Sequence, residues 1–129
     1  MRFCEAVDMK TKLTIPTTPA DLTAAWLTEA LRAGGVIPGD ATARPASCEV
    51  LGQGAGFIGQ IVRVTLAYDR PIAGAPGTLI AKMPALDPGA RELAGRYGRY
   101  EREYRFYREL ADEITFRTPR CYYSDGDAE

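Results

Sequence analysis

Three features of this chain have residue types and spacings that could do chemistry: a glycine loop, a lysine near the end of an apolar run, and a glutamate on an aromatic stripe. Gly54, Gly56 and Gly59 form a G-x-G-x-x-G within Leu51-Gly52-Gln53-Gly54-Ala55-Gly56-Phe57-Ile58-Gly59-Gln60. Alone the triplet is a weak signal, because it fits two unrelated nucleotide folds. In a dinucleotide-binding unit the loop must open a helix, whose N-terminus receives the pyrophosphate. Here Val62, Val64, Leu66 and Tyr68 alternate with Arg63, Thr65 and Ala67 directly after the loop, which is strand periodicity. A glycine loop flanked by two strands is built as a flap over nucleotide phosphates.

Lys82 stands near the end of the apolar run Thr78-Leu79-Ile80-Ala81-Lys82-Met83. By itself such a lysine reads as a solvated charge on an edge strand. Side chains of a strand alternate, so Lys82 shares a face with Ile80, while Leu79 and Ala81 point the other way. If that face lies under the flap, Ile80 is placed for an apolar adenine contact and Lys82 for the phosphates. Coming just after a strand-flanked glycine hairpin, the phosphate reading is the favoured one.

Two glutamates on the following helix could accompany that lysine. Glu101 lies four residues before Arg105 and seven before Arg108, so it belongs to a solvated ion-pair face. Glu103 falls between Tyr100 and Tyr107 on one side and Phe106 and Leu110 on the other. A carboxylate half-buried there needs a partner, and Lys82 is the candidate.

The elements that must position these groups follow from punctuation and period. Thr18 is the expected N-cap of a first helix, with Pro19 at its first position and Asp21 near the positive end of its dipole. Leu22, Trp26, Leu27, Ala30 and Leu31 recur at helical spacing, and Gly34-Gly35 ends the run. Residues 36–46, with Pro38, Gly39 and Pro45, read as a loop. Residues 47–53 form a short strand, residues 60–69 its return strand, and residues 78–83 a third strand stopped by Pro84. From Asp87 one helix is expected to run to just before Ile114, carrying Leu93, Tyr97, Tyr100, Tyr104, Tyr107 and Ala111 as a core stripe. A last strand is expected after Pro119, through Tyr123. Residues 1–16 are expected to form a loosely held leader, with Met9 as an alternative start.

Composition bounds the function. At 129 residues the chain holds one domain, and a net charge of −1 offers no footprint for nucleic acid or an anionic membrane. Arg96, Arg99, Arg102, Arg105 and Arg108 recur every third residue. On one helix they would wind around the axis rather than make a basic face. No apolar run approaches the roughly 20 residues that span a bilayer, and the N-terminal residues lack an apolar signal core. Three scattered cysteines fit a reducing cytoplasm. With no histidine in the chain, histidine-based acid–base or metal chemistry is excluded within it.

The ordered set is a Thr-Pro-Ala-Asp-Leu-Thr helix start, the Gly-Gln-Gly-Ala-Gly-Phe-Ile-Gly loop, and Leu-Ile-Ala-Lys-Met-Pro. Glu-Tyr-Arg-Phe-Tyr-Arg-Glu-Leu and Thr-Pro-Arg-Cys-Tyr-Tyr complete it. This set resembles the N-terminal lobe of the kinase-like small-molecule phosphotransferases: aminoglycoside phosphotransferases, choline kinases and ecdysteroid-kinase-like proteins. The resemblance implies an α+β fold, a protein-kinase-like N-terminal lobe with a small antiparallel sheet, one main helix and an accessory N-terminal helix, over residues 17–129. It implies that Gly54, Ala55, Gly56, Phe57 and Gly59 cover the phosphates of ATP. Val62 and Ile80 would line the adenine pocket, Lys82 would contact the α- and β-phosphates, and Glu103 would hold Lys82. The γ-phosphoryl would pass from ATP with Mg2+ to a hydroxyl of a small molecule. The catalytic aspartate and the metal ligands would lie in a C-terminal lobe, so these residues alone are expected to be inactive, and marginally stable because a missing strand leaves two sheet edges unpaired. A non-catalytic nucleotide-binding or interaction module is the alternative, and a Rossmann-type oxidoreductase, which needs residues 60–69 helical, comes last.

Overall fold

The computed structural model describes residues 13–52, 59–115 and 117–126. The fold is α+β. A 3-10 turn, Pro19–Asp21, leads into helix α1, Ala24–Ala33. Strands β1 (Ala43–Leu51), β2 (Gly59–Tyr68) and β3 (Thr78–Pro84) follow, then helices α2 (Pro88–Arg96) and α3 (Arg99–Arg105), and a π-helical turn, Phe106–Leu110. The sheet is antiparallel in the order β1-β2-β3. Among the described residues no helix is long and apolar enough to cross a membrane.

The first helix starts later than its punctuation suggests. Asp21 Oδ2 accepts from the backbone N–H groups of Thr17 (2.9 Å) and Thr18 (3.0 Å), and these bonds hold its carboxyl below the usual carboxylate range. They close the Pro19–Asp21 turn on itself, and Leu22 then leaves helical geometry with ψ 60°. Thr23 is the N-cap of α1, its side chain accepting from Trp26 N–H at 3.2 Å. The helix ends as expected, with Gly34 at the C-cap and Gly35 at φ 68°, where a β-carbon would be strained.

The strand expected to begin at residue 47 begins at Ala43. Pro45 does not stop it, because a proline is tolerated on an edge strand where no ladder donor is needed. The register slips once, between Pro45 and Ser47, so Ala46 forms a bulge. One polar side chain also guards this edge. The Thr28 hydroxyl donates to Ala43 C=O and accepts from Ala43 N–H, both at 2.9 Å and both buried. A helix side chain thus stands in for a neighbouring strand at the start of β1.

One face of the sheet is closed by α1. Val62 and Val64 of β2 are fully buried and Leu66 nearly so, against Leu27 and Leu31 of the helix and Val36 and Ile37 after it. Each such side chain contributes about 1.5–3 kcal/mol on removal from water. Pro88–Arg96 and Arg99–Arg105 replace the single long helix expected from residue 87, because Gly98 between them sits at φ 62°. The tyrosine stripe is not the core. Leu93 and Tyr97 are exposed, and Tyr100, Tyr104 and Tyr107 are only half-buried.

No strand forms over residues 119–123. That segment crosses the end of α1 instead. Tyr122 joins the core cluster, with its carbonyl in the space that a β-carbon on Gly34 would need. Tyr123 stands edge-on to Trp26, with ring centroids 5.7 Å apart. Both rings are consumed by packing on the helix side of the molecule rather than alternating across a sheet.

Candidate functional site

The second face of the sheet is where the sequence-predicted site residues gather. In β2–β3 pairing Ile61 is opposite Lys82 and Arg63 is opposite Ile80, while Leu51 of β1 is opposite Ile61. Directly opposed residues share a face. Leu51, Ile61 and Lys82 therefore make one row of that face, and Ile80, on the same face, ends the next row beyond Glu49 and Arg63. Ile80 is 49 % exposed, so the surface is open. Arg63 and Glu49, in the row of Ile80, pair at 2.9 Å.

Val62 does not belong to this surface. It is opposite Ala81, on the other face, and is sealed in the core against α1. The expectation that Val62 and Ile80 line one pocket is therefore corrected: Ile61 is the β2 residue on the Ile80–Lys82 face. The strand alternation held the signal. Its richer phase, Val62-Val64-Leu66, is the one a core claims first.

Lys82 Nζ lies 2.6 Å from Glu103 Oε1, joining β3 to α3 as the sequence suggested. Both side chains are about half exposed (54 % and 46 %), so the pair is reachable from solvent. The Glu103 hydrogen bond raises the Lys82 ammonium above its ordinary value, against the opposing effect of partial desolvation. An ammonium carries three donors, and Glu103 takes one. Two N–H groups remain for an anion. Glu101, by contrast, reaches Arg105 at 3.4 Å on the solvated side.

Ala85, the residue after β3, fixes where α3 sits. Its N–H donates to the Tyr100 hydroxyl at 3.0 Å, and its carbonyl accepts from Arg91 Nε of α2, also at 3.0 Å. Both helices are thereby tied to the strand end three residues past Lys82. Gln60, which the sequence did not single out, performs a similar task at the loop. Its side-chain amide donates to Thr17 C=O and Pro84 C=O, each at 2.7 Å, pinning the start of β2 to the end of β3 and to the chain before α1.

Of the glycine loop, Gly54, Ala55, Gly56 and Phe57 lie outside the described residues. Gly59 opens β2, and a β-carbon there would come within 2.7 Å of Met83 C=O and 4.0 Å of the Tyr100 ring. Its described role is thus close packing of β2 on β3. Two surface concavities, of about 380 Å³ at the α2–α3 junction and about 460 Å³ between α1 and β1, include neither Lys82 nor Glu103. No group of three or more Asp, Glu, Cys or His side chains able to hold a metal occurs among the described residues. Residues 59–68 are strand, so the loop does not open the helix that a dinucleotide-binding unit requires.

Comparison of the chain with family models, with curated proteins and with solved structures finds no match.

Proposed function

We propose that these residues are the ATP-binding part of a phosphotransferase that moves the γ-phosphoryl group to a hydroxyl of a small molecule. The observation that carries the reading is the solvent-accessible Lys82–Glu103 pair at 2.6 Å, set at the end of the open Leu51–Ile61–Ile80 surface. A lysine held by a helix carboxylate, at the strand next to a strand-flanked glycine loop, is the arrangement kinase-type lobes use to position phosphates. Ile61 and Ile80 would take the base, Lys82 the α- and β-phosphates, and Glu103 would restrict the lysine to that direction. What this part contributes to the reaction is positioning and charge stabilisation. The acceptor hydroxyl and the metal are assigned to groups outside the described residues.

Isothermal titration of the chain with ATP, ADP and AMP in the presence of Mg2+ tests the reading. ATP and ADP are expected to bind with similar affinity and AMP more weakly, because the second phosphate is the one Lys82 adds. Lys82→Ala is expected to weaken all three and to remove the preference for ATP and ADP over AMP. Absence of nucleotide binding, or affinities that Lys82→Ala leaves unchanged, would refute it.

A further inference from the structure

On a continuous helix the arginine series from Arg96 to Arg108 would wind around the axis. The structure is not continuous there. The left-handed backbone at Gly98, φ 62°, turns α3 off the line of α2. As a result Arg96 from the last turn of α2 and Arg102 and Arg105 from α3 line one concavity of about 380 Å³, together with Tyr97, Gly98 and Glu101. Three arginines and a single glutamate are among its lining residues.

Their pairing differs in a way that matters. Arg105 is held from both sides, by Glu101 at 3.4 Å and Glu109 at 3.2 Å, and these carboxylates raise its already high basicity. Arg96 has only a loose 3.7 Å contact with Glu92, and both side chains are at least 70 % exposed. Arg102 has no ion-pair partner among the described residues. Exposed pairs like Arg96–Glu92 are worth little, so Arg96 can exchange its carboxylate for a ligand at small cost. Beside these two guanidinium groups Tyr97 is left 56 % exposed, an uncovered aromatic ring next to cations with fork geometry.

We propose that the α2–α3 junction is a binding site for a small phosphate ester, with the phosphate on Arg96 and Arg102 and the organic body over the Tyr97 ring. A planar guanidinium matches the phosphate oxygens two at a time, and two of them converging on one group give both charge and orientation. Arg105, already fixed by its two glutamates, shapes the rim and adds field without having to be reordered. This site is separate from the Lys82 face and does not depend on the nucleotide reading.

Titration of the chain with phenyl phosphate at low ionic strength, with inorganic phosphate as the arm that lacks a ring, tests the proposal. Phenyl phosphate is expected to bind saturably with one equivalent, and inorganic phosphate several-fold more weakly. Arg102→Ala, an exposed change whose fold is checked by circular dichroism, is expected to weaken phenyl phosphate by about tenfold, the value of one charged hydrogen-bonding partner. Tyr97→Ser is expected to abolish the preference for phenyl phosphate over inorganic phosphate. Non-saturating binding overturns the proposal, as does an equal loss in Arg44→Ala, an exposed arginine on β1. So does a loss seen in Lys82→Ala instead of Arg102→Ala.

Discussion

Removing Glu103 separates what the Lys82–Glu103 pair does for the fold from what it does for a ligand. The contact is short, 2.6 Å, yet both side chains are about half in water. Two charges at 4 Å attract by about 1 kcal/mol in water before ordering is counted. Exposed pairs retain only about 0.2–1 kcal/mol of this in measured stability. Glu103→Ala should therefore lower stability by less than about 1 kcal/mol, about 4 °C in Tm for a domain of this size. The effect on phosphate binding has two opposing parts. Freeing Lys82 restores up to about 2 kcal/mol of rotamer entropy that binding must then remove again. Deleting a carboxylate about 6 Å from a phosphate relieves about 0.7 kcal/mol of repulsion in water. The entropy wins by roughly 1 kcal/mol, so ATP should bind about five- to tenfold more weakly to Glu103→Ala. Thermal unfolding and nucleotide titration on the same samples read both quantities. Unchanged or tighter ATP binding would refute the positioning argument, and a stability loss above about 3 kcal/mol would mark the pair as a structural strut instead. The pH dependence has a definite sign. Lys82 is raised in the folded state, so the contribution of the pair is complete below the ordinary lysine value of about 10.4 and is lost as pH rises through the folded value.

Ile61 and Val62 are adjacent in sequence but on opposite faces of β2. Val62→Ala should lower stability by about 1–3 kcal/mol in denaturant unfolding, through a cavity against α1; Ile61→Ala should cost less than half of that and weaken ATP instead, and a reversed pattern would reject the face assignment. Thr28→Val keeps the shape of the side chain but strands both backbone groups of Ala43. A loss of about 2–4 kcal/mol is expected at equilibrium, and a loss under about 0.5 kcal/mol would show that water replaces the hydroxyl. Tyr123 is pushed up to about 12 by partial burial first and by the Asp125 carboxylate second. Ultraviolet titrations of the chain and of Tyr123→Phe should differ by one phenol ionising at about 12, with the stability it contributes complete below about pH 10 and lost between there and about 12; a difference that titrates near 10 would contradict the packing on Trp26.

What the residues announced and what they concealed divide along a physical line. Local periodicity was enough for the hairpin, for β3 and for the partnership of Lys82 with Glu103, because alternation and i, i+3 and i+4 spacing are properties of a single element. Three features needed information that no single element carries. Thr18, Pro19 and Asp21 do punctuate a first turn, but it is a 3-10 turn that the Asp21 carboxylate closes on Thr17 and Thr18, and α1 starts afresh from Thr23. A single glycine within a helix costs only about 1 kcal/mol, so Gly98 carries no local signal that one helix stops before it. Only the structure shows it spent on a left-handed turn. Pro45 looked like a loop residue because its position at a sheet edge depends on which strand is outermost.

The choice between Ile61 and Val62 shows most directly how a functional face should be sought. β2 is the middle strand, so both of its phases are flanked by neighbours, and either could have been the core. The phase Val62-Val64-Leu66 is uniformly apolar, whereas Ile61-Arg63-Thr65 is mixed. A helix with a Leu27–Leu31 stripe covers the uniform phase, since that burial releases the most apolar area from water. What remains on the mixed phase is an isoleucine that the core did not require, opposed to Lys82 and next to the row of Ile80. A ligand-facing apolar residue on a half-covered sheet is to be found on the less hydrophobic phase. The same reasoning makes Leu51, the β1 residue opposite Ile61, the further contact for a nucleotide base. Leu51→Ala is expected to weaken ATP about as much as Ile61→Ala does, with little change in thermal stability, and an effect on stability alone would return Leu51 to the fold.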